Sequence, residues 1–158
     1  MPLSDLELAK RLLLAALLGG ILGLEREWHH KPAGLRTNIL IAIGSALFTL
    51  MSVDLSVDGR GDSTRVASQI VTGIGFLGAG AIMRNNGMVQ GLTTAATIWV
   101  NAAIGVAVGG GEYHLAFIAT GVTLLVLIVL PTLERWFDRL NPPPPDEHTE
   151  HGHGPTAS

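Results

Sequence analysis

The chain of 158 residues contains no cysteine and few charged side chains. The absence of cysteine excludes disulfide bonds, thiol catalysis, iron–sulfur clusters and zinc sites with cysteine ligands. Charged residues make up 15 % of the sequence, whereas about 25 % is usual in soluble domains. The net charge of −3, with no basic helix and no aromatic platform, gives no indication of nucleic-acid binding.

Enzyme motifs are missing as well. The sequence has no HExxH motif, no phosphate-binding loop with its Lys-Ser/Thr, and no nucleophile with a recognisable base. Gly73-x-Gly75-x-x-Gly78 formally matches the dinucleotide-binding fingerprint, but no βα unit precedes it and no acidic residue lies between Gly80 and Gly111. We therefore predict a protein that is not an enzyme and that needs no cofactor.

The sequence does contain five apolar stretches separated by short polar loops. These stretches are Leu12–Leu24, Asn38–Val53, Val66–Met83, Leu92–Val108 and His114–Leu130. Because a helix needs about 20 apolar residues to cross a bilayer, the pattern predicts an all-α polytopic membrane protein, a bundle of five transmembrane helices. The first stretch is short, but Ser4-Asp5-Leu6-Glu7 resembles a capping box, so we expect its helix to begin near residue 5. A cleaved signal peptide is the alternative, which we disfavour because no small-x-small cleavage site is evident.

The loops and the end of the chain predict its domains and orientation. Residues 1–140 form the transmembrane domain, and residues 141–158, rich in Pro, His and Gly, form a disordered tail. Because cytoplasmic loops are enriched in Lys and Arg, we expect the N-terminus outside and the C-terminus in the cytoplasm. Lys10 and Arg11 lie inside the first helix near its outer end, where long basic side chains can snorkel to the interface. The six basic loop residues on the inner side are Arg26, Lys31, Arg36, Arg84, Arg135 and Arg139, against Arg60 and Arg65 outside.

Small or polar residues recur at four-residue spacing in two of the predicted spans, and a third span contains a series of glycines. In lipid, small side chains mark helix–helix contacts, because packing and hydrogen bonds replace the hydrophobic driving force. We therefore predict a tight bundle. The stripes are Ala15, Gly19 and Gly23 in the first span and Thr97, Asn101, Gly105 and Gly109 in the fourth, and the glycines of the third span are Gly73, Gly75, Gly78 and Gly80.

Polar residues at membrane depth are the candidate functional residues. Asp62, Arg65 and Gln69 share one face if the third helix begins near Asp62, and Glu25-Arg26 ends the first span on the opposite side. An intramembrane salt bridge that fixes helix register would explain these residues, and so would a path for protons or a cation. Asn101 could meet Gln69 inside the bundle and line a site for a polar ligand or ion. Both interpretations require a partner for Arg65.

Two further groups have the side chains of a metal site without its spacing. The three aspartates match no EF-hand, and magnesium would use only one or two of them, so we expect a solvated acidic loop. Three histidines in a flexible tail are more typical of compositional drift than of a metal site. We predict no metal site at the loop residues Asp54, Asp58 and Asp62 or at the tail residues His148, His151 and His153.

Five ordered motifs together are specific. They are Gly23–Glu27, Lys31–Thr37, Asp62–Val71, Gly73–Gly80 and Gly91–Trp99. This succession closely resembles the MgtC/SapB family of bacterial membrane proteins, from about residue 12 to residue 113. MgtC itself continues into an ACT-like C-terminal domain, so the chain resembles a short member without that domain.

The resemblance implies a small polytopic protein of the bacterial cytoplasmic (inner) membrane. Members similar to MgtC are linked to growth in low magnesium and to virulence, and are thought to restrain the membrane ATP synthase. The residues that match the family pattern are Glu25, Arg26, Arg36, Asp62, Arg65, Gln69, Thr93, Thr94 and Trp99.

Two functions are the main hypotheses for this sequence, and a third, a purely structural oligomer, would need no buried charge. The first is a regulator that binds another membrane complex through the loop Glu25–Arg36 and the glycine-faced helices. The second is a small oligomeric transporter or channel for Mg²⁺ or H⁺, which requires a continuous polar file from Asp62 through Gln69 and Asn101 to Glu25 or Arg26. Membrane lipid is a partner in both cases, and a homo-oligomer is required in the second, because five helices form too thin a bundle to enclose a pore.

Overall fold

The computed structural model describes residues 3–57, 63–85 and 88–140, which form five α-helices and one β-hairpin. The helices are α1 (Asp5–Trp28), α2 (Leu35–Val57), α3 (Ser63–Gly80), α4 (Leu92–Gly110) and α5 (Tyr113–Leu140). The strands β1 (Met83–Asn85) and β2 (Met88–Gln90) lie between α3 and α4. Each predicted apolar stretch therefore contributes a helix, and the helical prediction is confirmed for these residues.

Three of the described helices are long and apolar enough to cross a membrane. They are Leu35–Leu55, Leu92–Gly110 and Tyr113–Phe137. Helix α1 carries charged residues near both ends, and the first half of α3 contains Arg65 and Gln69, so neither has that composition. By length and composition, three of the described helices could cross a membrane, and the predicted number of five spans is not confirmed.

A short β-hairpin of two three-residue strands accompanies the five helices, and the described chain is predominantly helical. Its strands pair antiparallel, with Met83 opposite Gln90 and Arg84 opposite Val89. The sequence between the strands is Asn86-Gly87, a dipeptide typical of two-residue hairpin connections that the helical reading overlooked. Gly91 then begins α4 with a φ of 90°, where a Cβ atom would collide with the carbonyl oxygen of Ala81.

Side chains fix the ends of α1 and the start of α2. The hydroxyl of Ser4 accepts a hydrogen bond from the Glu7 amide at 3.3 Å, which confirms the predicted start of α1. At the other end, the Glu27 carboxylate accepts a hydrogen bond from the Leu35 amide at 3.1 Å and so satisfies a free N–H of α2. The short connection between the two helices makes them antiparallel neighbours.

Helices α1, α2 and α4 form the centre of the described bundle, with α5 against α1 and α4, and α3 against α2 and α4. The core is apolar and built largely from small and branched side chains. Its fully buried members include Ala15, Leu18, Leu22, Ala42, Ala46, Ile104 and Val108. Most of α5 is exposed and apolar, as expected for a surface that faces lipid.

Candidate functional site: a buried polar file

Glycines bring the backbones of α1 and α4 into contact with α2. A Cβ atom at Gly19 would lie 2.7 Å from both the Cβ of Ala42 and the carbonyl oxygen of Asn38. One at Gly105 would lie 2.5 Å from the carbonyl oxygen of Ala42, and one at Gly109 2.6 Å from that of Ala46. No larger side chain fits at these positions, so the packing predicted from the α1 and α4 stripes is confirmed.

Buried polar side chains follow these helix contacts from one end of the bundle to the other. All of them are 9 % exposed or less. Such residues in a membrane bundle are normally hydrogen-bonded across helices or functional. We call this set the polar file: Arg26 of α1, Asn38, Ser45 and Thr49 of α2, and Thr94, Thr97 and Asn101 of α4.

At the end formed by the α1–α2 loop and the hairpin, the file begins with Arg26. Its Nη2 donates a hydrogen bond to the hydroxyl of Thr94 at 2.7 Å, and its Nε has no partner among the described residues. In the neighbouring Glu25, the backbone carbonyl oxygen lies 2.9 Å from His29 Nδ1, within hydrogen-bond distance, and Oε1 lies 3.1 Å from the same nitrogen. The other oxygen, Oε2, is buried and lacks a described protein partner. Arg26 is 4 % exposed, and its guanidinium donates one hydrogen bond within the described part of the chain, to the Thr94 hydroxyl.

In the middle of the file, Asn101 joins α4 to α2. Its Nδ2 donates to the backbone carbonyl of Asn38 at 2.7 Å, and both residues are fully buried. Asn38 in turn donates through Nδ2 to the carbonyl of Gly34 at 3.1 Å and to that of Ala33, which ties the α1–α2 loop to the bundle. The Oδ1 atoms of both asparagines have no hydrogen-bond partner in the described part of the chain.

At the opposite end, the file meets a second arginine. Ser45 and Thr49 lie against Gly105 and Gly109, and the carbonyl of Gly109 accepts a hydrogen bond from Arg11 Nη1 at 2.8 Å. Arg11 also forms an ion pair with the Glu7 carboxylate at 3.1 Å, and this carboxylate accepts a hydrogen bond from the Tyr113 hydroxyl. Arg11 thus binds the C-terminal end of α4, where the helix dipole favours a cation.

This arrangement predicts a clear difference between two adjacent residues. Arg11→Leu removes the hydrogen bond to Gly109 and the pairing with Glu7, so we expect the free energy of unfolding to fall by about 2 kcal/mol. Lys10 is exposed, and Lys10→Leu should change the free energy of unfolding by less than about 0.5 kcal/mol. Thermal unfolding of both purified variants in the same detergent measures the difference. Equal effects would mean that Arg11 snorkels to the interface as Lys10 does.

The structure separates the residues that the sequence grouped as one polar cluster. Glu25, Arg26 and Asn101 lie at or in the polar file, whereas Arg65 and Gln69 of α3 are exposed. Asn101 bonds to α2 and not to Gln69, because four-residue spacing shows which residues share a face but not which helix that face meets. No ion pair of Arg65 exists among residues 3–57, 63–85 and 88–140, and Asp62 lies outside them.

The other candidate residues divide in the same way. Thr94 is buried and accepts the hydrogen bond from Arg26, while Arg36, Thr93 and Trp99 are exposed. In the glycine ladder of α3, only Gly78 has a neighbour within 4 Å of a Cβ position, the carbonyl oxygen of Ala95 at 3.6 Å. The predicted packing role of Gly73, Gly75 and Gly80 therefore stays a prediction, and it would require a helix of another chain to lie against them. Asp58 and the tail histidines His148, His151 and His153 lie outside the described residues.

Sequence reasoning missed Asn38, Arg11 and Glu7 as site residues. Asn38 looked like the first residue of an apolar stretch, and Arg11 like an ordinary interfacial cation. The only available signal was that each places a strong hydrogen-bonding group next to an apolar run, where a partner inside the bundle is required. The described residues contain no group of three or more His, Asp or Glu that could hold a metal ion.

Comparison with known proteins gives the chain its family. The model of the MgtC family matches residues 12–136. A protein of Escherichia coli (strain K12) named "Putative magnesium transporter YhiD" is 51 % identical over 129 residues, covering 78 % of this chain and 60 % of that protein. "Protein MgtC" of Salmonella typhimurium (strain LT2) is 52 % identical over 119 residues, covering 75 % of this chain and 50 % of that protein.

A third relative, an uncharacterized protein of Haemophilus influenzae, is 42 % identical over 137 residues, which cover 82 % of this chain and 58 % of that protein. The chain therefore spans between half and 60 % of the length of these relatives. No solved structure matches it. The family model covers most of the chain, including both arginines of Glu25–Arg36 and the whole of α4, and the chain belongs to the MgtC family.

Proposed function

We propose that this protein is a non-enzymatic protein of the bacterial inner membrane that acts on another membrane complex during adaptation to low magnesium. Family membership supports the magnesium context, since one relative is named a putative magnesium transporter. The link to virulence and the choice of the ATP synthase as the first complex to examine rest on the family resemblance. The proposed topology has five crossings, with the N-terminus outside and the hairpin end in the cytoplasm.

The observation that carries this proposal is the closure of the polar file. A path for an ion requires space, but α2 and α4 are so close that even a Cβ at Gly105 or Gly109 would meet backbone oxygen atoms within 2.6 Å. Backbones in such contact leave no water-filled route between them. The predicted alternative route through Gln69 is interrupted as well, because Asn101 bonds to Asn38. Closed packing of this kind favours a regulator over a conductor.

The charges at the two ends of the file also disfavour cation transport. Arg26 is buried at one end, and Arg11 binds Gly109 at the other. A divalent cation entering between the helices would meet a guanidinium at either end, and low dielectric strengthens this repulsion. Glu7 and Glu25 reduce the local positive charge but are already paired with Arg11 and His29.

The hairpin end of the bundle offers a surface for a partner. Trp28 is 78 % exposed at the end of α1, and Met83 and Met88 of the hairpin are 64 % and 65 % exposed. Lys31 and Arg36 add exposed positive charge at the same end. Tryptophan and arginine are the residues most often found at interaction hot spots, and methionine adapts to irregular surfaces.

A cation transporter is the second candidate, and one observation favours it. Three buried oxygen atoms, Glu25 Oε2, Asn38 Oδ1 and Asn101 Oδ1, have no hydrogen-bond partner among the described residues. Carboxylate and amide oxygens are the ligands that Mg²⁺ takes in proteins. This candidate requires the helices to separate during transport.

Ion flux into liposomes distinguishes the two candidates. Purified protein is reconstituted in liposomes that contain a Mg²⁺ dye or a pH dye, beside Asn101→Leu and protein-free liposomes. We expect wild-type flux of both ions to equal that of the protein-free liposomes, because the file has no open path. Flux that Asn101→Leu abolishes, with both proteins monodisperse after extraction, would overturn the regulator and establish the transporter.

A photo-crosslinking residue tests the partner directly. Placed at Trp28, it should capture one membrane protein reproducibly in cells grown in low magnesium. Leu17 of the same helix is 59 % exposed on the apolar middle of α1, and the same residue placed there is the matched control. Identical products at both positions would show that capture reflects lipid-side collisions and would contradict a partner surface at the hairpin end.

A further inference from the structure

A groove between α2 and α3 remains open in the described chain. It encloses about 470 Å³ and is lined in part by two glycines, Gly44 of α2, which is half-buried, and Gly73 of α3, which is exposed. A Cβ at either glycine would have no neighbour within 4 Å. The walls are apolar and include Leu40, Phe48 and Leu77, and the polar residues of the lining are Ser45 and Gln69. The groove is therefore an apolar surface that can accept a large side chain.

The outer face of α3 presents such a side chain beside the groove. Gln69, Gly73, Phe76 and Gly80 fall at i, i+4, i+7 and i+11, so they lie along one face, and all four are exposed. Phe76 is 80 % exposed, the highest value among the large apolar residues of the described chain. An exposed ring and an open groove thus adjoin each other on the same helix.

Lipid alone does not satisfy this face. In the five-crossing topology proposed above, on which this inference rests, hydrocarbon accommodates Phe76, but the amide of Gln69 needs hydrogen-bond partners, and none exists among the described residues. By contrast, the hydroxyls of Ser68 and Thr72 bond to backbone carbonyls of their own helix. Gln69 therefore points to contact with another polar group supplied by a protein.

We propose that this group is Gln69 of a second copy, and that two chains associate through α3 with Phe76 of each seated in the groove of the other. A two-fold interface uses the same patch on both copies, so the patch must be complementary to itself. Here the ring and the groove adjoin on one helix, and an amide carries both donors and an acceptor, so two Gln69 side chains satisfy each other. Gly73 and Gly80 allow the two backbones to approach closely.

Arg65 lies one turn before Gln69 and is the unfavourable element of this interface. Because copies inserted in the same orientation place their α3 helices parallel, the two Arg65 side chains come near each other. They lie in the first turn of α3, where long basic side chains reach the polar boundary and water screens their repulsion. The association therefore centres on Gly73 and diverges toward Arg65.

Cysteine cross-linking in native membranes tests the proposal, because the natural chain has no cysteine. Single cysteines are placed at Gln69, Gly73 and Phe76, and a control cysteine at Gly121 of α5, a glycine that also has no neighbour within 4 Å of its Cβ position. After oxidation we expect a product of twice the chain mass as the main species for at least one α3 position, and monomer for Gly121→Cys. Disulfides form only when Cα atoms approach to about 7 Å or less. The proposal would be overturned if none of the three α3 cysteines gave more cross-linked dimer than Gly121→Cys. It would also be overturned if the cross-linked product contained a different protein.

Filling the groove is the second measurement. Gly73→Leu has space within one chain but occupies the site of the partner's ring, so it should abolish the cross-link of the most reactive α3 position. Gly121→Leu, the matched control, should leave that cross-link unchanged. A Gly73→Leu protein that is monodisperse and still cross-links as the wild type does would contradict seating of Phe76 in the groove.

Discussion

Replacing Gly105 by leucine is expected to prevent α4 from packing on α2 and to leave little folded protein. A Cβ at this position would lie 2.5 Å from the carbonyl oxygen of Ala42 and 2.9 Å from the Cβ of Ser45. Both are fixed parts of α2, a backbone atom and the first atom of a side chain, so no rotamer change makes room. The helices must move apart along a contact that also contains Gly109 and Asn101.

The expected cost is large because separation affects several interactions at once. Overpacking a core by a few methylene groups costs about 1–3 kcal/mol, and here the hydrogen bond between Asn101 and Asn38 is stretched as well. We therefore expect a loss of about 3 kcal/mol or more, a large fraction of the roughly 5–15 kcal/mol by which domains are stable. Unfolding in detergent and the monodisperse fraction after gel filtration measure this loss.

Gly110 provides a control in the same helix. A Cβ there has no neighbour within 4 Å, so Gly110→Leu should be folded and as stable as the wild type. If Gly105→Leu and Gly110→Leu lowered the stability equally, α2 and α4 could not be in backbone contact at Gly105. The space for an ion path between them would then have to be reconsidered.

The tight contact of α1 and α4 with α2 was predictable from sequence because its signal is local. Residues four apart lie on the same side of a helix, so the stripes ending in Gly23 and Gly109 defined two packing faces without knowledge of the fold. The glycines of α3 differ in this respect. Their consecutive spacings of two, three and two residues spread them over several faces, and only Gly78 has a neighbour within 4 Å of its Cβ position in the described chain.

Partners across the bundle were not predictable in the same way. The sequence shows Asn101 as a polar residue within an apolar stretch, yet its partner is a backbone carbonyl 63 residues away, which any residue at position 38 would offer. Arg11 likewise bonds to the carbonyl of Gly109 and not to a residue of complementary charge in the next helix. Sequence patterns identify groups that need a partner, whereas helix order and rotation determine which partner they find.

Asn101→Asp is expected to destabilise the protein far more than Asn101→Leu, although aspartate is nearly identical in shape to asparagine. The substitution removes the Nδ2 donor and places an oxygen atom in its position, 2.7 Å from the carbonyl oxygen of Asn38. Two acceptors then face each other in a region that is fully buried. A carboxylate left there without a partner costs about 3–5 kcal/mol, by analogy with broken buried ion pairs.

Leucine at position 101 should be tolerated much better. It loses one hydrogen bond, worth about 0.5–1.5 kcal/mol, but it also removes the buried Oδ1 atom that has no partner in the described chain. Gln90→Glu controls for the added charge, because it makes the same amide-to-carboxylate change at an exposed position of β2 and should have little effect. Unfolding of the three variants in one detergent establishes the order.

The same variants bear on the proposed function when the measurement is repeated with Mg²⁺. In a closed polar file, Mg²⁺ has no access to residue 101. The loss of unfolding free energy caused by Asn101→Asp should therefore be the same with and without the ion. If Mg²⁺ instead restored its stability while leaving Asn101→Leu and Gln90→Glu unchanged, a cation would be reaching the centre of the bundle. Glu25, Asn38 and residue 101 would then have to be regarded as part of a cation site, and the transporter would replace the regulator as the better account of this chain.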